Sequence, residues 1–475
     1  MKINKDKCLW TSEEIYRTLR QQTNTNWNCN TIEFDSRKVQ PGSIFFAMPG
    51  TKLDGHDFID DAVKSGAVAL IVQKSYKSSI YNNKLIKVDD VYKTLILMAQ
   101  AARKRVNDSA NIIAITGSSG KTSTKEMVSS ALNTLGLTYS NPDSFNNHVG
   151  VPYTLVNMSR NIEFGVFEIG MNNSNEISKL AKLVKPNIAI ITNVSEAHIG
   201  NFKSIKEVIK AKAEIFEGLA DKGYILINRD FEHYNEIITY SEKLKNINMI
   251  TYGLNNSSDI YLIERVVSKK GQKITVSAYG KNYTYEINFD GLHQAINSLA
   301  VVGVLLILKC DVKKGLNNLY KSTVPIGRGN KYDLLIDEKK SLLIDDSYNA
   351  NPSSVIASLN MLSEIAVNNR KVLILGEMGE LGKHSLLLHK KLYDYLINLN
   401  INLVIFVGKN TKNLYNISKN NIECSWSESA EQIIKSDIDK LIKPMDTILV
   451  KGSRYMKMEV VVNYLRDKYK IKVNN

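Results

Sequence analysis

The segment Gly117-Ser118-Ser119-Gly120-Lys121-Thr122-Ser123 carries the most direct chemistry in the sequence. Its glycines let backbone N–H groups approach an anion, Lys121 can reach the outer phosphates of ATP, and the Thr122 hydroxyl is a hard oxygen donor suited to Mg²⁺. An apolar run at 112–116 precedes the loop. Met127, Val128, Ala131, Leu132 and Leu135 recur after it at helical spacing, which predicts a helix over 121–135 with one face on a sheet. Strand, glycine loop and helix form the order that an anion site needs, because the helix N-terminus adds its positive dipole. The loop is shorter than the GxxxxGK[ST] pattern, position 115 being Ile rather than Gly. A plain glycine turn is the alternative, and the added Lys and Thr favour phosphate.

Two further residues fall where ligands bind in open α/β folds, at the C-terminal ends of strands. Glu168 closes an apolar run at 164–167, and His198 follows another at 187–192. A carboxylate beside Thr122 suits Mg²⁺, while imidazole is a less usual ligand for that ion. Taken alone, Glu168 reads equally well as a strand-end surface acid and His198 as a structural histidine.

The elements that must position these residues read as α/β throughout. Residues 1–107 hold short strand-like runs at 31–34, 43–47 and 67–72, broken by Pro41-Gly42 and Asp54-Gly55, then a helical stretch over 91–105. Residues 108–325 alternate strand and helix, which predicts a mostly parallel sheet covered by helices. Within them, 260–289 alternate around Lys270-Gly271 and Gly280-Lys281 as a β-hairpin excursion. After the Pro/Gly break VPIGRGN (324–330), residues 326–475 carry a second βα series with strands at 341–344, 372–375, 403–407 and 447–450. The expected architecture is three domains: a small N-terminal α/β domain, a central P-loop parallel sheet with flanking helices, and a C-terminal Rossmann-like domain.

Composition narrows the class. In 475 residues, 43% are apolar and 23% charged, a balance that argues for folded domains. No run of about 18 apolar residues could span a bilayer, and the N-terminus lacks the apolar core of a secretory signal. A cytoplasmic protein without membrane insertion is expected. The 62 basic residues exceed the 48 acidic ones, but the excess is spread along the chain and forms no basic block interleaved with aromatics. It reads as solvated charge or as a field for anionic small substrates, with no nucleic acid expected. Cys8, Cys29, Cys310 and Cys424 lie too far apart for a CxxC pair and are expected as free thiols.

The motifs resemble the Mur ligase family across nearly the whole chain. TGSSGKTSTKEM (116–127) is similar to the family's central domain, as are NPDSFNNHVGVPYTL (141–155), FEIGMNN (167–173), ITNVSEAHIGNF (191–202) and AKAEIFEGL (211–219). At the front, DSRKVQPGSIF (35–45) and DGHDF (54–58) resemble its UDP-sugar-binding domain. DDSYNANPSS (345–354), LGEMGELG (375–382) and KGSRYMKME (451–459) resemble its third domain. SYNANP and GEMGELG are most similar to the branch that ligates D-alanyl-D-alanine to UDP-N-acetylmuramoyl-tripeptide, and no DNPR-type motif of the third-residue branch is present.

The resemblance implies roles residue by residue. Gly117 to Ser123 would hold ATP, joined by Asn297 facing adenine and by Arg328 and Asp346 closing on phosphate and ribose. Thr122, Glu168, His198 and a carbamylated Lys212 would hold Mg²⁺, with Lys121, Glu168, His198 and Lys212 as the catalytic set. By itself Lys212 is one helix lysine among many, and Lys210 is its neighbouring alternative. Ser36 and Arg37 would hold the UDP-sugar, and Asn146 and Asn147 would orient the tripeptide. Asn349, Asn351, Lys451, Ser453 and Arg454 would lie near the dipeptide or the acyl phosphate. Gln294 stands where the family often has Asn, and Tyr455 where it often has a small residue. The implied activity is ATP-dependent amide ligation by a monomer, giving ADP and phosphate. A ligase adding the third amino acid and a P-loop ATPase coupled to nucleic acid are the competing readings.

Overall fold

The computed structural model describes residues 8–21, 25–50, 53–78, 80–268, 271–435 and 438–470. Three parallel-strand systems follow one another along the chain. The first is a four-stranded parallel sheet of Thr31–Glu33, Ser43–Phe46, Ala69–Gln73 and Leu85–Val88. Its strands are apolar on both faces because helices and the neighbouring unit cover both. The helix Val91–Lys104 is N-capped by Asp90, whose carboxylate accepts from Lys93 N.

That helix joins the first system to the second. Its buried face, Leu95, Met98, Ala99 and Ala102, belongs to the same apolar core as Val151, Leu155, Ile177 and Ala181. Trp10 Nε1 donates to Val156 O at 2.9 Å, and Asn157 brackets Ile32 through both its backbone groups. The core therefore runs without a break past the chain boundary near residue 107.

The second system is a nine-stranded sheet. Asn111–Thr116 lies between Phe164–Glu168 and Ile188–Ile191, all parallel, with Tyr224–Asn228 and Asn248–Gly253 continuing on one side. The helix after the phosphate loop is Lys121–Leu132, ending three residues before the apolar periodicity does, and Leu135 N and Gly136 N close back on Leu132 O. The stretch over 260–289 differs from the expected separate hairpin. Ile260–Ser268 pairs in parallel with Asn248–Gly253, and Gly271–Ala278 and Lys281–Ile287 follow antiparallel, so these strands extend the main sheet. Pairing there satisfies an edge that would otherwise be left open. Lys270, part of the expected turn, lies outside the described residues. The sheet's second face packs on the helix Leu292–Ile307, which is apolar nearly all round, as a buried helix should be.

The third system orders its strands Asn330–Ile336, Lys339–Asp346, Thr447–Lys451, Lys371–Leu375, Leu403–Val407 and Glu423–Ser427, parallel except for the first. Helices cover both faces. Among the described residues no helix is long and apolar enough to cross a membrane, and all four cysteines are free.

Candidate active site

The C-terminal edges of the second and third sheets face each other across a cleft of ≈ 1400 Å³. The phosphate loop forms one wall. Gly120 caps the helix at φ +80°, in the left-handed region, and a Cβ there would lie 2.8 Å from Asn297 Nδ2. At Gly117 a Cβ would meet Thr192 Oγ1 at 1.9 Å, so both positions exclude a side chain. The loop is stitched to the strand end beyond it. Ser118 N donates to Asn193 O (3.0 Å), Ser119 N to Asn193 Oδ1 (2.9 Å), and Thr192 Oγ1 to Ser119 O (2.6 Å). Lys121 Nζ donates to Gly117 O at 2.8 Å; burial pushes its ammonium down, opposed by Glu168 and reinforced by Arg328.

Glu168 sits deep in the site at 1% exposure, accepting from Thr122 Oγ1 at 2.8 Å and from Asn146 Nδ2 at 2.6 Å. The Thr122 hydroxyl, in the first turn of the helix, and the Glu168 carboxylate, at the end of its strand, suit a hard cation such as Mg²⁺. Among the described residues no three His, Cys, Asp or Glu side chains gather into a cage, so the donor set fits a cation completed by phosphate oxygens and water. Lys212 is 2% exposed on the helix Ile205–Ala213, and its Nζ makes no hydrogen bond or ion pair among the described residues. Burial, and next the charge of Lys121, hold it well below the usual lysine range. Lys210, the alternative, is exposed.

His198 takes a left-handed backbone (φ +64°) and turns to the opposite wall. Its Nδ1 lies 2.6 Å from Glu380 Oε2 of the third unit, a close contact whose angle falls short of hydrogen-bond geometry. Gly200 N donates to Glu380 O at 2.9 Å, so the contact is doubled through the backbone. Glu380 lies in the GEMGELG motif, but nothing in its local sequence marks it out. Only the meeting of two sheets does.

The third unit supplies the second wall. Asp346 accepts from Lys451 Nζ (2.6 Å) and Ser358 Oγ (2.5 Å). Asn351 caps the helix Pro352–Ile365 and donates to Ser118 O at 3.3 Å, while Ser195 and Ser353 meet hydroxyl to hydroxyl at 2.9 Å. Arg328 donates to Ser144 Oγ at 3.4 Å and lies over the Tyr348 ring. Asn349 accepts from Ala350 N, and Ser453 Oγ bridges Gly379 N and Ala350 O. Arg454 lines the cleft but pairs with Glu459 at 2.9 Å. Tyr455, the residue out of pattern, gives its hydroxyl to Glu377 at 2.5 Å.

The phosphate loop from Ser118 to Ser123, Asn146, Asn147, Glu168, His198, Asn297, Arg328, Asp346, Asn349, Asn351, Lys451 and Arg454 share this cleft. Gly117, Lys212 and Ser453 are not among the residues that line it. Asn147 spends its Oδ1 on Gly150 N (2.8 Å) and Val149 N (3.2 Å), the turn chemistry an Asn commonly performs. Ser36 and Arg37 are not among the cleft's lining; Arg37 is exposed and paired with its neighbour Asp35 at 2.8 Å. Thr192, Asn193 and Asn141 escaped a residue-by-residue reading because a lone polar residue at a strand end has no periodic signal.

The comparisons agree with this architecture. The Mur ligase middle domain matches residues 115–305, the Mur ligase family catalytic domain residues 28–119, and the Mur ligase glutamate ligase domain residues 334–454. The chain belongs to the Mur ligase family. It is similar to the UDP-N-acetylmuramoyl-tripeptide–D-alanyl-D-alanine ligase of Rickettsia prowazekii, with 34% identity over 96% of this chain and 99% of that one. The enzyme of the same name from Escherichia coli is 31% identical over 92% of this chain and 94% of its own length. Among solved structures, MurF from Acinetobacter baumannii superposes with a TM-score of 0.85 at 26% identity, covering 96% of this chain and 99% of that one.

Proposed function

We propose that the protein ligates D-alanyl-D-alanine to UDP-N-acetylmuramoyl-tripeptide at the expense of ATP, making the pentapeptide precursor of peptidoglycan in the cytoplasm. The observation that carries the proposal is the meeting, in one cleft, of the phosphate loop and Glu168 with the 345–354 and 451–454 segments of the third unit. Support comes also from full-length similarity to relatives bearing that name. Work divides among residues 1–107 for the UDP-sugar, 108–325 for ATP and 326–475 for the dipeptide.

A carboxylate and an amine do not condense in water because oxide is a hopeless leaving group. Attack of the tripeptide carboxylate on the γ-phosphorus forms an acyl phosphate and expels ADP. The dipeptide amine, having lost a proton, adds to the acyl carbon, and collapse of the tetrahedral adduct releases phosphate and leaves the amide. The chain's part is positioning and charge neutralisation. Loop N–H groups and Lys121 take the triphosphate, Arg328 adds a second cation, and Asn297 faces adenine. Asn146 and Asn147 orient the tripeptide, and Ser36 and Arg37 hold its distal UDP. Asn349, Asn351, Lys451, Ser453 and Arg454 frame the incoming dipeptide, with Asp346 on the ribose.

Mg²⁺ would be held by Thr122 and Glu168, with His198 and a carbamate on Lys212 beside them, and it supplies neutralisation of the triphosphate charge. Carbamylation needs a neutral amine, which adds to CO₂ and releases one proton. The dry, partnerless setting of Lys212 favours that neutral form.

Phosphate release from ATP with UDP-N-acetylmuramoyl-tripeptide, with and without D-alanyl-D-alanine, tests the proposal. Release that requires both substrates and yields the pentapeptide is expected. Turnover instead with UDP-N-acetylmuramoyl-dipeptide and a free diamino acid would move the reading to the third-residue branch.

A further inference from the structure

The reaction as described gives Lys125 nothing to do, yet its side chain is completely buried one turn beyond Lys121 on the helix Lys121–Leu132. An ammonium carries three N–H donors and no acceptor, and a buried charge persists only when paired and hydrogen-bonded. Lys125 has three oxygen partners: Asn141 O at 2.8 Å, Asp143 O at 2.9 Å and the Glu126 carboxylate at 2.8 Å. Two of them are main-chain carbonyls of one loop. The backbone at Asp143 is left-handed, with φ +46°, a conformation Asp tolerates, and the Lys125 hydrogen bond to its carbonyl holds the loop at that turn.

What that loop carries gives the tie its meaning. Asn141 brackets the Glu168 backbone, accepting from Glu168 N at 2.7 Å and donating to its carbonyl at 3.4 Å. Asn146 donates to the Glu168 carboxylate at 2.6 Å, and its carbonyl accepts from Gly170 N at 2.8 Å. Ser144 meets Arg328 of the third unit, and the Phe145 ring lies 6.2 Å from Phe34 of the first. Loop 141–147 thus touches all three units, and Lys125 is its anchor on the nucleotide-binding helix.

We propose that Lys125 is a positioning residue for the peptide substrate. By clamping two loop carbonyls to the phosphate-loop helix, it sets Asn146 and Asn147 so that the tripeptide carboxylate lies in line with the γ-phosphate. The inference rests on the ligase reading above. Its test uses Lys125→Met and Lys125→Gln in the full-length protein, each alone and with Asn146→Ala. Misplacement of a substrate by a fraction of an ångström lowers turnover steeply, so KM for UDP-N-acetylmuramoyl-tripeptide should rise, or kcat/KM for it fall, about tenfold or more. Calorimetric ADP affinity should stay within about twofold, and the effect of Lys125→Met should largely vanish in the Asn146→Ala background. Unchanged tripeptide kinetics, equal loss of ADP affinity, or full additivity with Asn146→Ala would overturn the role. If Lys125→Met does not fold, Lys125→Gln, which keeps two N–H donors on a shorter side chain, is read by the same criteria. A wild-type protein that turns over neither substrate would overturn the ligase reading instead; an active wild type with an unaltered variant overturns only the role of Lys125.

Discussion

In the central unit, on the helix Ile205–Ala213, Lys212 is buried with no hydrogen bond or ion pair among the described residues. On the facing wall, Lys451 is buried to the same 2% but ends on Asp346 at 2.6 Å and on the Asn349 carbonyl at 3.2 Å. The two lysines teach different things. Lys451 is a satisfied cation whose partner fixes the 345–351 segment. Lys212 lacks anything to keep it charged, and burial pushes it toward the neutral amine that chemistry can modify.

Substitution at Lys212 should have the largest effect. Lys212→Met should lower kcat by roughly 10³-fold, because a charge-stabilising group is removed from a dry site. If Lys212 carries the proposed carbamate, Lys212→Glu, which supplies a carboxylate in its place, should recover part of that loss, and stripping CO₂ should slow the wild type alone; phosphate-release kinetics read all three. In the same unit, Gly117→Ala forces a methyl onto Thr192 Oγ1, and ATP affinity should fall roughly 10²-fold through displacement of the loop. An intact far-ultraviolet circular dichroism spectrum would separate this from unfolding.

On the facing wall the prediction concerns stability first. Asp346→Asn leaves Lys451 buried without its counter-charge and should cost about 3–5 kcal/mol in urea unfolding. An Asp346→Asn, Lys451→Met double variant should recover much of that loss, a coupling that Lys212→Met should not show with any acid.

A smaller effect belongs to His293, at the cleft floor between the two walls. Burial lowers its imidazole from 6.5 to about 4, with Asp346 opposing. The unfolded chain then takes up a proton that the folded chain refuses, so stability should decline as pH falls from about 6.5 toward 4. His293→Gln should flatten that part of the urea-midpoint profile. The smallest effect is expected at Arg37, an exposed cation paired, among the described residues, with Asp35. Arg37→Ala should leave the urea midpoint unchanged, and any rise in KM for the UDP-sugar substrate would then report a direct contact.

Much of this was legible in the residues. The phosphate loop, the parallel alternation on both sides of it and the helix after Asp90 follow from local spacing and capping, which a linear reading can see. The extension of the sheet through Ile260–Ser268 was not, because an edge strand's choice of neighbour is settled by which backbone groups are left open. Lys125 shows the same limit at the site. On the helix it is one of two lysines, and only the fold of the 141–147 loop over it leaves its amine buried with three oxygen partners.

The sequence by itself determined the chemistry available: an anion cradle with a lysine and a hydroxyl, a strand-end acid, and three sets of motifs resembling one ligase family. Those are properties of neighbours along the chain, where backbone geometry and side-chain type act within a few residues. The tertiary structure alone decided which charges are spent and which are kept. Lys451 and Asp346 are 105 residues apart, and His198 reaches Glu380 across two sheets. Burial, which drives Lys212 toward neutrality, and the three oxygens around Lys125 arise only when distant segments exclude water together.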